Sequence, residues 1–131
     1  MDSEKILREC KVVAVVGASP DTEKASNRIF NYLKQHGYKV IPVNPNADKI
    51  GDNVCYPSLV AVPEKVDVVD IFRRSEDCDS VVQEAIDIGA KAVWMQEGIV
   101  NEKAAEKARR AGLMVVMDHC IMKEHRKMNS V

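Results

Sequence analysis

The sequence predicts an α/β fold of three layers, doubly wound around a mainly parallel sheet of five to six strands. Two observations lead there. A helical stretch, a glycine and a short apolar strand recur as one phrase, at Gln35–Val43, Asp87–Met95 and Arg110–Met117. The strands in these phrases are nearly continuous in apolarity and rich in β-branched residues, as parallel strands covered on both faces are. Gly37, Gly89 and Gly112 stand where a helix ends in a left-handed residue.

Taken in order, Asp2–Cys10 reads as a flanking helix and Lys11–Gly17 (KVVAVVG) as the opening strand. Ser26–His36 places Ile29, Tyr32 and Leu33 on one helical face, and Tyr38–Val43 is the next strand. Asn53–Tyr56 reads as a short edge piece, stopped by Pro57. The turn Pro63–Lys65 leads into the strand Asp67–Ile71. Cys78–Ile88, with Val81, Val82, Ala85 and Ile88, and Asn101–Ala111, with Ala104, Ala105, Ala108 and Ala111, have helical spacing, and Asp77 and Asn101 are their expected N-caps. Lys91–Met95 and Leu113–Met117 are the last strands, and Cys120–Met128 is a closing helix. A Rossmann order puts Asn53–Tyr56 at the edge, then Tyr38–Val43, Lys11–Gly17, Asp67–Ile71, Lys91–Met95 and Leu113–Met117. The chain then reverses direction between the first strand and Asp67–Ile71, where ligands bind beyond the carboxyl ends of the strands.

The 131 residues fit one domain spanning 1–131, with 46% apolar and 30% charged residues. The 19 basic and 20 acidic residues nearly cancel, so nucleic acid is not an expected partner and any anion site must be local. The longest apolar runs, such as Val12–Val16, are far short of the roughly twenty residues of a membrane span. The start MDSEKILREC is too charged for a secretory signal, so the expected location is cytoplasmic. Cys10, Cys55, Cys78 and Cys120 form no C-x-x-C pair and no zinc spacing, so free thiols and no metal site are expected.

Five loops leave the carboxyl ends of the strands, and they hold the candidate site. The first runs from Gly17 through Ala18 and Ser19 to Lys24 and Arg28. Small residues before a helix start let backbone N–H groups approach an anion, and two cations stand near. It matches neither G-x-G-x-x-G nor a P-loop, since Ser19 and Thr22 occupy glycine positions. The second, Val43-Asn44-Pro45-Asn46, lacks the carboxylate that holds an NAD ribose. The third offers Phe72 as a wall for an adenine, and Arg73 or Arg74 for a phosphate. The fourth follows Trp94, a core aromatic, with Gln96, Glu97 and Gly98. The fifth is Asp118-His119-Cys120, whose adjacent side chains point apart on an extended chain and do not make a catalytic set. His36 and His125 read as surface residues of helices.

Together VVGAS, Lys24–Arg28, VNPN, FRRSE, QEGI and MDHCI resemble the small CoA-binding proteins with a Rossmann fold. These are akin to the CoA-binding domain of the succinyl-CoA synthetase alpha subunit and of ADP-forming acyl-CoA synthetases. The resemblance covers about Lys5 to His125 and implies coenzyme A, or an acyl-CoA, as ligand at the carboxyl edge. It implies Gly17, Ala18 and Ser19 against phosphate, Lys24 and Arg28 as nearby charge, and Val43, Asn44 and Pro45 bordering the nucleotide. Phe72 and Arg73 would close the other wall, with Gln96 and Glu97 beside them. The synthetases' phosphorylated histidine sits in a glycine-rich loop. The segment Met117–His125 has no such glycines, so His119 does not inherit that role and no catalytic residue is assigned. Binding without chemistry is the leading expectation. The alternatives are an NADP-type reductase fragment or acyl-CoA ligase subunit, and a thiol-exchange CoA sensor acting through Cys120.

Overall fold

The computed structural model describes residues 2–130. The strands β1 (Val12–Val16), β2 (Lys39–Val43), β5 (Val68–Ile71), β6 (Ala92–Met95) and β7 (Met114–Met117) form one parallel sheet in the order β2-β1-β5-β6-β7. β3 (Lys49–Ile50) and β4 (Asn53–Val54) pair separately as a small antiparallel hairpin. The edge piece expected at Asn53–Tyr56 is thus divided. Its first half belongs to the hairpin, and Tyr56 alone bridges Val43 of β2 in parallel fashion. Tyr56 N–H donates to Pro42 O at 3.0 Å and Asn44 N–H donates to Tyr56 O at 2.9 Å. At the other edge, Val115 N–H donates to Asp2 Oδ2 at 3.4 Å.

The helices are α1 (Ser3–Glu9), α2 (Ala25–Gln35), α3 (Cys78–Asp87), α4 (Glu102–Arg110) and α5 (Ile121–Met128). Strand residues alternate between two cores, because successive side chains leave a strand on opposite faces. On one face Val13, Val15, Val68 and Trp94 pack with Ile6, Phe30, Leu33 and Ile121 of α1, α2 and α5. On the other, Ala14, Val69, Ile71 and Val93 pack with Val81, Val82, Ala104, Ala105 and Ala108 of α3 and α4. This is the expected three-layer architecture, with its switch point between β1 and β5.

Asn101 caps α4 as its chemistry predicts, its Oδ1 accepting from Ala104 N–H at 2.9 Å. Asp77 stands at the N-cap position of α3, but its side chain makes no capping hydrogen bond there. It ends a short 3-10 turn, Ser75–Asp77, and turns its carboxylate toward Arg74 at 3.1 Å. His125 also departs from expectation, being buried at 8% exposure rather than on the surface. Its Nδ1 lies 2.8 Å from Tyr32 Oη of α2. Burial, with His36 adding to it, holds its imidazole below the ordinary range.

Candidate functional site at the carboxyl edge of the sheet

The turn after β1 is shaped by a close approach of two chains. Gly17 has φ +93°, and a Cβ there would lie 2.3 Å from Phe72 O and 3.0 Å from its carbonyl carbon. Only glycine lets the first and third loops cross at this distance. Gly17 N–H donates to Val43 O at 2.9 Å and Phe72 N–H to Val16 O at 2.8 Å, so three loops are tied within two residues of one another.

Asn44 closes this knot. Its Nδ2 donates to Ala18 O at 2.7 Å and its Oδ1 accepts from Asn46 N–H at 2.8 Å. The neutral residue in place of a carboxylate therefore pins the first loop to the second. Ser19 Oγ accepts from Asp21 N–H at 3.1 Å, and Ser19 O accepts from Asn27 Nδ2 at 2.8 Å. Ala18 and Val43 are buried, and Pro45 is exposed.

The start of α2 meets this turn. Its cap position is Lys24, in extended conformation, with no side-chain acceptor for the first N–H groups and no acid in the first turn. Each of α1, α3, α4 and α5 carries an acid in its first turn. Acids stabilise helix starts, so their absence at α2 leaves its positive end open to an anion from outside. Lys24 and Arg28 are both exposed there. Arg28 Nη1 donates to Glu23 O at 2.7 Å, which ties the guanidinium to the segment before α2.

The third loop divides the residues expected together. Phe72 is half-buried and lines a cleft of about 160 Å³ with Ala25, Ile29, Gln96, Glu97, Ile99 and Cys120. Arg73 does not line it. Its Nη2 lies 3.9 Å from Asp77 Oδ2, and Arg74 pairs with the same carboxylate at 3.1 Å. Glu97 is exposed and pairs with Lys123 at 3.0 Å. Asp118, at φ +63°, accepts from Gly98 N–H at 2.7 Å and lashes the fourth loop to the fifth. Trp94 is fully buried, as expected, and its Nε1 donates to His119 O at 2.8 Å.

Beneath the cleft lies a group that sequence reasoning did not find. Asp70 of β5 is fully buried, in register with Val15 of β1 and Trp94 of β6. Its Oδ1 accepts from Gln96 Nε2, and its Oδ2 has no partner among the described residues. Burial pushes its ionisation up to about 8, against a weaker opposing effect of the Gln96 hydrogen bond, so at neutral pH it is mainly a neutral acid. Gln96 is held at both ends, since its Oε1 accepts from Ile121 N–H at 3.4 Å.

All four cysteines are buried free thiols. Burial raises the pKa of Cys10 and Cys78 to about 11 and lifts that of Cys55. Cys120 is the cysteine that lines the cleft. Among the described residues, no group of three or more His, Cys, Asp or Glu side chains could hold a metal ion, and no helix is long and apolar enough to cross a membrane.

Comparison with known proteins identifies the family. Residues 11–126 match the model of a family described as the CoA binding domain. The Bacillus subtilis protein YneT, of uncharacterised function, is 35% identical over 122 residues, covering 93% of this chain and 90% of that one. The ADP-forming acetate–CoA ligase II of Archaeoglobus fulgidus is 42% identical over 105 residues, covering 76% of this chain. The matched region spans only 16% of that ligase. A hypothetical protein from Pyrococcus horikoshii OT3 superposes with a TM-score of 0.95 at 41% identity, covering 98% of this chain and 91% of that one. With the whole sheet and all five loops inside the matched region, the chain belongs to the CoA binding domain family.

Proposed function

We propose that this chain binds coenzyme A or an acyl-CoA across the switch point between β1 and β5, as one unit over residues 1–131. The start of α2 carries the reading. It has no side-chain cap and no acid in its first turn, and it follows the Gly17 turn. Coenzyme A presents a pyrophosphate that fits such a start. The backbone of Gly17, Ala18 and Ser19 and the charge of Lys24 would face it, and Val43, Asn44 and Pro45 would border the nucleotide. Phe72, Gln96 and Glu97 line the cleft through which the pantetheine arm would leave. Arg73 would join only after loosening its contact with Asp77. The reading is binding without a reaction of its own, in the cytoplasm.

Calorimetry with coenzyme A and with 3′-dephospho-CoA tests it. Coenzyme A should bind, and more tightly, because a neutral protein that gathers local cations gains one more charge-assisted contact, about 1.5–3 kcal/mol. No heat and no protection with either ligand would refute the reading. Cys120 favours a second reading, thiol exchange with a CoA disulfide, because its thiol lines the cleft where the pantetheine sulfur would arrive.

A further inference from the structure

An open groove of about 470 Å³ runs between α2 and α5, and it is not part of the cleft described above. The two share α2 as one wall. α2 gives Ala25 and Ile29 to the cleft and Arg28 and Tyr32 to the groove, while the α5 side gives Cys120 to the cleft and Met122 and Arg126 to the groove.

The groove gathers positive charge that no carboxylate among the described residues pairs with at salt-bridge distance. Among the described residues, neither Arg28 nor Arg126 has a carboxylate within 4.0 Å, whereas Arg73, Arg74, Arg110, Lys123 and Lys127 all do. Among the described residues, no acidic side chain lines the groove; its other polar walls are hydroxyl and amide groups such as Thr22 and Gln35.

Both guanidinium groups are held in place. Arg28 Nη1 is fixed by Glu23 O at 2.7 Å, with its remaining N–H groups left over. Arg126 lies over the Tyr32 ring, 5.1 Å from its centroid. That ring is itself fixed by the hydroxyl contact to His125 at 2.8 Å and by stacking on His36 at 4.0 Å. Two pre-positioned forks on separate helices suit a dianion with several oxygens, which a single carboxylate is not.

We propose that the groove between α2 and α5 is a phosphomonoester-binding site, with Arg28 and Arg126 as its cations and Tyr32 as the platform that aims Arg126. The phosphomonoester has two possible sources: the 3′-phosphate of coenzyme A itself, for which the proposal rests on the reading above, or a separate phosphorylated molecule.

The test uses the full chain and Arg126→Gln, with Arg126→Lys as a charge-keeping variant. Coenzyme A and 3′-dephospho-CoA are titrated by calorimetry, and inorganic phosphate by amide chemical shifts of Asn31, Tyr32 and Gln35. If the 3′-phosphate is the source, Arg126→Gln weakens coenzyme A roughly 10- to 100-fold and leaves 3′-dephospho-CoA unchanged, with Arg126→Lys between. If the source is separate, phosphate shifts those amides in the wild type but not in Arg126→Gln, while both coenzymes bind as before. Should the wild type bind phosphate this way but neither coenzyme, the groove stands and the coenzyme A reading falls. An equal loss for both coenzymes places Arg126 on the pyrophosphate or the fold and overturns the proposal. So does a variant that leaves all three ligands unchanged.

Discussion

Replacing Asp70 by Asn should change how stability depends on pH. Burial delays ionisation of Asp70 from 3.8 to about 8. Between these values the folded chain holds a proton that the unfolded chain has released. Stability therefore falls as pH rises through the window, by about 1.4 kcal/mol per pH unit, and levels off above it. From about pH 5.5 to about pH 7.5 the loss from this one residue is roughly 2–3 kcal/mol. Asn has nearly the same shape, can still accept from Gln96 Nε2 through its Oδ1, and never ionises. Urea unfolding of both proteins across this range gives the difference in unfolding free energy at each pH. That difference should move in favour of Asp70→Asn by roughly 2–3 kcal/mol between the two ends. Parallel stability curves would mean that Asp70 is already ionised when folded, and would refute its reading as a buried neutral acid.

Three further outcomes follow from the knot of loops and the cleft. Gly17→Ala should destabilise the fold by about 3 kcal/mol or more, since its Cβ would sit 2.3 Å from Phe72 O on a left-handed backbone. An unchanged urea midpoint would show that the loops do not cross so closely. Asn44→Ala removes two hydrogen bonds and should cost about 2 kcal/mol, with faster amide exchange at Asn46; wild-type protection there would count against the pin. On incubation with CoA disulfide, the Cys120 thiolate should attack one sulfur, form a mixed disulfide and release the CoA thiol. Peptide mapping without reductant should find the adduct at Cys120 and not at Cys10, Cys55 or Cys78, and an adduct elsewhere would sink the thiol-exchange reading.

Much of the frame was legible because its signals are local. A glycine ending a helix and a β-branched run after it are read within ten residues, and Asn101 capped as its side chain predicts. What failed depended on distant partners. Asp70 in VVDI reads as one polar residue in a short strand, and only Trp94, Gln96 and α5 reveal that it is sealed. His125 looked exposed on a charged helix until Tyr32 of α2 was placed against it. Arg73 and Arg74 looked available, although Asp77 stands at the spacing where a helical turn brings such charges together, and that was the signal to weigh. Arg126 could not be paired with Arg28 from sequence, because nothing local says which helices lie side by side.

The borders of the sheet have a consequence for solubility at high concentration. An edge strand with unpaired N–H and C=O groups is a template for a strand from another molecule, and so for aggregation. At β2 the template is interrupted, since Pro42 has no N–H to offer and Tyr56 occupies its carbonyl. At β7 the Asp2 carboxylate sits on the Val115 amide, adding both a partner and a negative charge to the rim. An incoming strand would have to displace Tyr56 at one side or Asp2 at the other. Removing Asp2 would uncover the apolar edge strand Met114–Met117, whose Val115 amide would then face solvent unpaired.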